Sequence, residues 1–312
     1  MSGQLDALKN NPLFNGDIDT TEATRKEKSR DASIFEVLPA GVISPRDVND
    51  IQAVVRWAND QTLAGNPVTL AARVGGTCMS GGSLTQGYII DLKKYVNYIG
   101  EVDVEARTIT TQTGAMHLAV ETTVKEKGLL FAPYTSSRDI CGIGGMLGNN
   151  ASGEQSIKYG PTSANVNKLK VVLSDGNEYE FGPLSRTEVE IKKQQPNYEG
   201  EIYRRMTALL EDNAFTIATN HPRTVKNAAG YQLWDLWDIH KQTLNLGRLF
   251  IGAQGTLGII TEAELKLVKP GSYRRMIVTP IGELSHLAEV VKTMLRYDPI
   301  SCETFDHFTY EL

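Results

Sequence analysis

The chain has 312 residues, 41% of them hydrophobic, and its 32 basic and 37 acidic residues leave a net charge of −5. This length and composition suit one large soluble domain or two ordinary ones, and no run approaches the stretch of about 18 apolar residues that predicts a membrane span. The mildly acidic balance gives no electrostatic reason to expect a nucleic acid or an anionic membrane as a partner.

The predicted elements begin after a polar N-terminal segment. Residues 1–35 are charged, with only scattered apolar side chains, and we expect an arm packed on something else. Ser44-Pro45 then supplies a helix N-cap and a first-turn proline. Apolar residues at helical spacing from Val48 to Ala58 predict a helix that ends near Asn59.

The first glycine-rich cluster occupies residues 72–82, between two short apolar runs. Val68–Ala72 precedes it and Tyr88–Leu92 follows it, and both runs fit buried strands. The cluster is therefore expected to be a loop between strands. Successive glycines let backbone N–H groups converge on a phosphate, because no Cβ blocks the approach or the positive φ angles of such a nest.

A second α/β unit comes next. The β-branched run Thr108–Thr113 predicts a strand, and His117–Lys127 predicts a helix that Gly128 ends. The second glycine-rich cluster, residues 136–153, follows this helix.

The remaining elements include the clearest hairpin of the sequence. Val166–Leu173 and Glu178–Phe181 are β-prone runs joined through Asp175-Gly176, a pair that favours a type I′ turn. Glu201–Glu211 predicts a helix, and a third glycine-spaced loop at residues 252–258 precedes a strand that runs to Val268.

Pro270-Gly271 indicates a boundary. Beyond it, Met276–Pro280 predicts a strand and Leu284–Leu295 an amphipathic helix, which together would open a new β-α layer.

The glycine patterns exclude two common phosphate-binding modes. The Rossmann fingerprint Gly-x-Gly-x-x-Gly fails at its third glycine in Gly142–Leu147, which counts against a nicotinamide cofactor. Gly76–Gly82 lacks the lysine of a Walker loop, which counts against ATP or GTP. A diphosphate held by backbone N–H groups and small hydroxyls remains, the hydroxyls being those of Thr77, Ser80, Thr135, Ser136 and Ser152. Ordinary turns with no cofactor are the alternative that the residues leave open.

The three clusters in this order resemble the flavoprotein family typified by vanillyl-alcohol oxidase and p-cresol methylhydroxylase (PCMH). The resemblance is carried by Arg30–Pro39, the first cluster, the second cluster with Lys158-Tyr159-Gly160, Gly230-Tyr231, and Gly255–Ile259. It covers roughly residues 30–268 and indicates the branch of FAD-linked D-lactate dehydrogenases and glycolate oxidase D subunits.

This resemblance implies an α+β fold, a PCMH-type FAD-binding domain made of two α+β subdomains. The expected domains are the arm at 1–35, the FAD-binding domain at 36–270, and the incomplete beginning of a substrate or cap domain at 271–312. The first cluster would hold the pyrophosphate of FAD, and the second would lie along the ribityl chain and flavin. The implied cofactor-binding residues are Arg73, Val74, Gly75, Gly76, Thr77, Cys78, Ser80, Thr135, Ser136, Gly142, Gly145, Asn149, Ser152 and Ile260.

Two positions depart from the family pattern. Family members usually have a glycine where Val74 stands, so the Val74 side chain must turn away from the nest. Members that tether FAD through the first loop use a histidine there, whereas this chain has Thr77-Cys78, so we expect noncovalent FAD. A small buried thiol is the ordinary interpretation of Cys78, and a thioether link to the flavin is the rarer alternative.

The implied reaction is oxidation of a small-molecule 2-hydroxy acid, such as D-lactate, glycolate or D-2-hydroxyglutarate, by hydride transfer to flavin N5. The alternative is a non-catalytic FAD-binding subunit that passes electrons to an iron–sulfur or other acceptor protein. The sequence identifies no catalytic base. Arg223, Lys226 and Tyr231 are candidates to face the flavin or the substrate carboxylate, and the same cluster also fits a solvated loop with one packed tyrosine.

Neither a metal site nor export is predicted. The five histidines show no His-x-His or His-Glu-x-x-His spacing, and a histidine-rich metal motif, where the resembled branch has one, lies in the cap that would begin as this chain ends. Cys78, Cys141 and Cys302 are odd in number, and no apolar run follows a basic start. A reducing cytoplasm is the expected location.

Overall fold

The computed structural model describes residues 2–224, 227–228 and 230–311, and these form a mixed α+β fold with three sheets. The α-helices are α1 (Ser2–Lys9), α2 (Glu22–Glu27), α3 (Val48–Leu63), α4 (His117–Lys125), α5 (Ile143–Gly148), α6 (Ser156–Tyr159), α7 (Arg186–Gln194), α8 (Tyr198–Asp212), α9 (Ala214–Thr219), α10 (Leu287–Leu295) and α11 (His307–Tyr310). The strands are β1 (Asp17–Asp19), β2 (Gly41–Ser44), β3 (Leu70–Arg73), β4 (Tyr88–Asp91), β5 (Ile99–Asp103), β6 (Thr108–Gln112), β7 (Val166–Val172), β8 (Glu178–Phe181), β9 (Leu184–Ser185), β10 (Trp237–Asp238), β11 (Thr243–Leu244) and β12 (Ile259–Lys266).

A four-stranded sheet in the order β1-β2-β4-β3 organises the N-terminal part of the chain. β2, β4 and β3 run parallel, and β1 is antiparallel to β2. The helix α3 packs on this sheet with Ile51, Val54 and Trp57, which recur at helical spacing and are buried. Asp47, not Ser44, caps α3, because its carboxylate accepts the hydrogen bond that the N–H of the first turn offers.

The segment predicted to be an arm is built into this small sheet. Leu5 and Leu8 of α1 are buried in the same core as α3, and β1 forms an edge of the sheet. The buried carboxylate of Asp50 accepts hydrogen bonds from the N–H of Asn15 at 2.6 Å and of Arg46 at 2.7 Å. These contacts join the first fifty residues into one packed unit.

A five-stranded antiparallel sheet in the order β5-β6-β12-β7-β8 holds the larger core. The central strand β12 buries every second residue, as expected for a sheet with one face on the core. The core below it contains Phe181, whose ring centroid lies 4.9 Å from that of Phe250 and 6.4 Å from that of Tyr203.

The hairpin of β7 and β8 is present, but its turn is not the predicted type I′. Gly176 has a φ of +75°, whereas Asp175 does not adopt the positive φ that a type I′ turn also requires. The N–H of Gly176 donates to Leu173 O, and the N–H of Leu173 donates to Asn177 O. These bonds close a three-residue loop, a type I turn followed by a glycine bulge.

Residues 271–311 lie outside both cores. The predicted strand Met276–Pro280 is wrong, since no described residue pairs with this segment and a strand needs a partner for its backbone groups. The predicted helix is present as a 3-10 turn at Leu284–His286 that leads into α10. Its apolar side chains are not buried against the rest of the described chain.

Candidate cofactor site

The three glycine-rich segments converge on one cleft of about 790 Å³ that is open to solvent. The loop after β3, the helix α5 and the loop before β12 each supply part of its lining.

A row of unpaired backbone donors forms one wall of this cleft. The loop at residues 74–87 joins the adjacent parallel strands β3 and β4 without the crossover helix that usually makes such a connection. Within the described residues, the N–H groups of Gly75, Gly76, Thr77 and Cys78 have no hydrogen-bond acceptor. Gly76 has a φ of +65°, which a glycine adopts without strain. Four adjacent donors of this kind suit an anionic ligand.

The glycines of the site differ in what a side chain would meet. A Cβ on Gly75 would lie 2.3 Å from Ile140 O, and one on Gly142 would lie 2.1 Å from Val74 Cγ1, so the fold itself requires both glycines. A Cβ on Gly145 would meet no atom within 4 Å, and one on Gly148 only Gln254 Cα at 3.9 Å. Both of these lie on α5 and face the cleft, where their lack of a side chain leaves room for a ligand.

Val74 fills the space beside two glycines of the second cluster. Its side chain is buried in the small core, and its methyl groups lie against Gly142 and Gly144. The side chain of Val74 therefore joins the two clusters, and its contact explains why residue 142 has no side chain.

Arg73 lies behind the row of donors. Its guanidinium donates to the carbonyl oxygens of Arg30 at 2.6 Å and of Lys28 at 3.2 Å, and the residue is only 8% exposed. A Cβ on Gly76 would lie 2.3 Å from Arg73 Nη2. The arginine thus connects the N-terminal segment to the back of the first cluster.

A polar cluster lines the cleft where the three segments approach each other. The Cys78 thiol lies 3.2 Å from Ser80 Oγ and donates to Asn149 Oδ1 at 3.5 Å. The side-chain amide of Gln254 donates to Ser80 Oγ at 3.3 Å, from the third loop to the first. Burial raises the pKa of the Cys78 thiol, but hydrogen bonds from Ser80 and from the backbone at Ser80 and Gly82 outweigh this effect and bring the pKa below its usual range.

Most of the predicted cofactor residues line the cleft. They are Arg73, Val74, Gly75, Gly76, Thr77, Cys78, Gly145, Asn149 and Ile260. Ser80 is exposed beside them, and its hydroxyl contacts both Cys78 and Gln254.

Four predicted residues lie elsewhere. Thr135 is buried with its hydroxyl 3.4 Å from Ser137 Oγ, Ser136 is exposed, and Gly142 packs on Val74. Ser152 borders a second cleft of about 1310 Å³ on the far side of the second cluster. Their roles toward a cofactor stay predictions.

Two of the three candidate catalytic residues, Arg223 and Tyr231, belong to the described part of the chain, and neither lines the first cleft. Tyr231 is about half exposed, and its hydroxyl lies 2.8 Å from Thr256 Oγ1 of the third loop. Arg223 is exposed and does not line either cleft, although its neighbours His221 and Pro222 border the second one. Lys226 lies outside the described residues.

Sequence reasoning missed the side chains that the third loop contributes. Gln254 has a φ of +51° between Gly252 and Gly255, and its N–H donates to Gly148 O at 2.9 Å. Phe250 and Leu257 add apolar lining. The glycine spacing identified the loop, but no pattern in the sequence indicates which of its side chains turns toward the first cluster.

Two searches gave negative results over the part of the chain that is described. It holds no group of three or more His, Cys, Asp or Glu side chains placed to bind a metal ion. None of its helices combines the length and the apolar character needed to cross a bilayer.

The chain matches a known family model over part of its length. Residues 39–182, which contain the first and second clusters, match the model of the FAD binding domain. Residues 39–182 form an FAD-binding domain. The expected α+β fold, the expected cofactor and the resemblance to this family are thereby confirmed.

The FAD-binding chain is similar to curated dehydrogenases and oxidases. It is 32% identical to D-2-hydroxyglutarate dehydrogenase of Pseudomonas putida, over 97% of this chain and 30% of that protein. It is 28% identical to glycolate oxidase subunit GlcD of Bacillus subtilis, over 93% of this chain and 51% of that protein. The D-lactate dehydrogenase of Archaeoglobus fulgidus is 24% identical over 87% of this chain and 48% of its own length. The chain thus spans about a third to a half of the length of these relatives.

A solved structure supports the fold of the FAD-binding chain. Alkyldihydroxyacetonephosphate synthase superposes with a TM-score of 0.59 at 19% identity, over 86% of this chain and 40% of the other. At this identity the likeness concerns the fold alone.

Proposed function

We propose that this chain is the FAD-binding part of a dehydrogenase that oxidises a small 2-hydroxy acid such as D-lactate, glycolate or D-2-hydroxyglutarate. The observation that carries the proposal is the row of N–H groups from Gly75 to Cys78. These groups have no acceptor within the described residues, and their residues line the same cleft as Gly145. The substrate class comes from the relatives, which are named for D-2-hydroxyglutarate, glycolate and D-lactate.

In this proposal the first loop binds the diphosphate of FAD. The four N–H groups donate to the phosphate oxygens, and the open surface of α5 at Gly145 lets the ribityl chain or flavin approach the backbone. The apolar side chains of Leu92 and Leu257 exclude water from the inner wall. When bound, FAD supplies the redox chemistry by accepting a hydride equivalent from the α-carbon of the substrate.

The remaining predicted contacts fit around this arrangement. Asn149 and Ile260 line the cleft directly, whereas Thr135, Gly142 and Ser152 belong to the backbone that supports the second cluster. The Cys78 thiol is already engaged with Ser80 and Asn149, which supports noncovalent FAD.

We further propose that residues 36–270 form the FAD-binding unit and that residues 271–312 begin the substrate domain. Arg223 is the described candidate cation for the substrate carboxylate, because its side chain is exposed beside a large second cleft. A cytoplasmic location and an electron-acceptor protein as partner belong to the same proposal.

Flavin uptake and reduction test the proposal. The purified chain is mixed with FAD, freed of unbound cofactor and examined for visible flavin absorbance and its loss under anaerobic conditions. We expect D-lactate, glycolate or D-2-hydroxyglutarate to bleach bound FAD in the complete native polypeptide, and L-enantiomers of the chiral acids to serve as controls. Failure to retain FAD contradicts the cofactor assignment.

The same experiment distinguishes the proposed dehydrogenase from the alternative function, a non-catalytic electron-transfer subunit. If bound FAD is reduced by dithionite but by no 2-hydroxy acid, the dehydrogenase proposal fails and the electron-transfer alternative is supported.

A further inference from the structure

Arg73 is a buried cation without a paired carboxylate. Its guanidinium donates hydrogen bonds to the neutral carbonyl groups of Lys28 and Arg30. Among the described residues, no Asp or Glu oxygen lies within ion-pair distance of its guanidinium. Burial lowers the pKa of Arg73, and an arginine nevertheless stays protonated in proteins. A buried cation whose neighbouring carboxylates all lie beyond ion-pair distance is costly, so a closer counter-ion would stabilise it.

The carboxylates nearest to Arg73 are engaged with other groups. Asp91 forms an ion pair with Lys28 at 3.1 Å, and both side chains are largely buried. Asp31 accepts hydrogen bonds from Ser83 Oγ and from the N–H of Ser33. Both carboxylates attract Arg73 at longer range, but each already serves another partner.

The position of the guanidinium points to the missing anion. It lies directly behind Gly76, whose missing Cβ leaves the space that Arg73 Nη2 occupies, and Arg73 also borders the cleft. Gly75, Gly76, Thr77 and Cys78 line the same cleft, and their N–H groups have no acceptor within the described residues. An anion bound in the cleft by these N–H groups would therefore lie beside a loop that the Arg73 guanidinium contacts, and charge attraction is strong where water is partly excluded.

We infer that Arg73 is a positioning residue whose counter-ion is the diphosphate of the bound dinucleotide. This inference rests on the proposed function. It adds a residue whose positive charge attracts the diphosphate of FAD. The arginine acts through Gly76, because its side chain reaches the loop from behind, and it also fixes the N-terminal segment at Lys28 and Arg30.

The test compares Arg73→Met, which removes the charge and keeps much of the side-chain volume, with Arg73→Lys, which keeps the charge. Dissociation constants are measured for FAD, ADP and riboflavin over a range of salt concentrations. We expect Arg73→Met to weaken FAD and ADP by about tenfold or more and to flatten the salt dependence of both, while riboflavin, which has no phosphate, changes little. Arg73→Lys should recover a large part of the loss.

Arg25→Met is the matched control. The Arg25 guanidinium also donates to a backbone carbonyl near the N-terminal segment, Pro39 O at 2.6 Å, but it does not line the cleft. We expect this variant to lose some stability and to bind FAD and ADP as the wild type does.

The failures of the two proposals are distinguishable. If the wild type binds neither FAD nor ADP, the proposed function fails. If it binds both and Arg73→Met binds them equally well, or weakens riboflavin as much as FAD, Arg73 is only a structural link and the inference is wrong. If Arg73→Met does not fold, the Arg73→Lys variant decides the question. Loss of FAD binding in folded Arg73→Lys, which keeps the positive charge, contradicts the inference. Near-normal FAD binding with the wild-type salt dependence supports it.

Discussion

Gly142 and Gly145 stand three residues apart at α5, and a side chain at each would meet a different environment. At Gly142 the space is taken by Val74, whereas at Gly145 it is open to the cleft. The same residue type therefore serves packing at one position and ligand access at the other. This difference allows the two roles to be separated by experiment.

We predict that Gly145→Leu binds FAD at least about tenfold more weakly, because the side chain fills the cleft. The cofactor-free protein should keep or raise its unfolding temperature, since leucine favours a helix more than glycine does. Gly142→Ala is the control, and its contact with Val74 should lower the free energy of unfolding by about 1–3 kcal/mol. Unchanged FAD affinity in Gly145→Leu would place the cofactor elsewhere.

The environment of His117 leads to a prediction about how the stability of the protein depends on pH. It is fully buried on α4 against Phe131, and neither ring nitrogen has a partner of hydrogen-bond geometry, although the carbonyls of Pro133 and Arg138 lie nearby. Burial lowers its pKa, an effect that the carboxylate of Glu121 opposes and the charge of Arg138 reinforces. The folded protein thus holds this ring neutral, whereas the unfolded chain takes up a proton near pH 6.5.

We predict that the folded protein loses stability as the pH falls below about 6.5, because the unfolded state then binds more protons than the folded state. His117→Leu should reduce this loss, measured as the difference in urea unfolding free energy between about pH 7.5 and pH 5. Phe131→Leu, which changes a neighbour that does not titrate, should keep the wild-type pH dependence. An equally steep loss in His117→Leu would assign the effect to other groups.

At the scale of elements, the packing of the N-terminal segment could not be predicted from its composition. Residues 1–35 are polar overall, but two leucines of α1 suffice to bury one face of a short helix, and β1 needs only backbone groups to pair with β2. Neither contact produces a long apolar pattern. The sequence therefore predicts a separate arm packed on something else, where the structure has an edge of the small sheet.

The packing of α1 can be tested directly. Leu8→Ala should lower the free energy of unfolding by about 2–5 kcal/mol, because Leu8 is fully buried in the small core. Leu13→Ala is the control in the same segment, and since Leu13 is 58% exposed we expect a change within about 0.5 kcal/mol. Equal small effects of both substitutions would mean that the segment does not pack on the sheet.

Elements with a strong local pattern were predicted well. The strands on both sides of the first cluster, the helix that Gly128 follows and the β7–β8 hairpin are all present. Their boundaries depend on single hydrogen bonds, and here the prediction was less accurate. Asp47 competes with Ser44 for the cap of α3, and the bond from Leu173 to Asn177 changes the turn type at Asp175-Gly176.

At the scale of the whole molecule, the residues after 270 are unlike the rest. Both cores are built from residues up to Leu267, and beyond them the described chain exposes many large apolar side chains, with Met276 at 87%. Lys158 and Asp298 form one of the links back to the FAD-binding part, with Lys158 Nζ 2.6 Å from Asp298 Oδ2. Met276, Ile277 and Val278 are consecutive and all exposed, and exposed apolar surface promotes association.

We predict that a chain ending at residue 270 self-associates less than the 312-residue chain and binds FAD with an affinity within about twofold of it. Light scattering and FAD titration of the two chains measure these properties. Replacing Met276, Ile277 and Val278 by serine in the 312-residue chain is the control and should reduce association without shortening the chain. A large loss of FAD affinity on truncation would mean that the C-terminal segment belongs to the binding unit.

The convergence of the three glycine-rich segments on one cleft was predictable, and the inner arrangement of that cleft was not. Glycine-rich clusters far apart in sequence marked the three walls, because backbone access requires glycine whatever the partner. The roles of Arg73 and Gln254 depend on long-range contacts, from residue 73 to residue 30 and from residue 254 to residue 80, which no local pattern encodes. For the same reason Thr135 and Ser136, close in sequence to the second cluster, lie off the cleft.

The placement of β12 has a consequence for biosynthesis. This strand is the last of the larger sheet to leave the ribosome, yet it lies in the middle, between β6 and β7. Until residues 259–266 emerge, both neighbours expose open edges on the nascent polypeptide, which other chains or chaperones can contact. Because Gln254, Leu257 and Ile260 line the cleft, its third wall is in place only after this late insertion, and the earlier steps of folding proceed while the cleft is still incomplete.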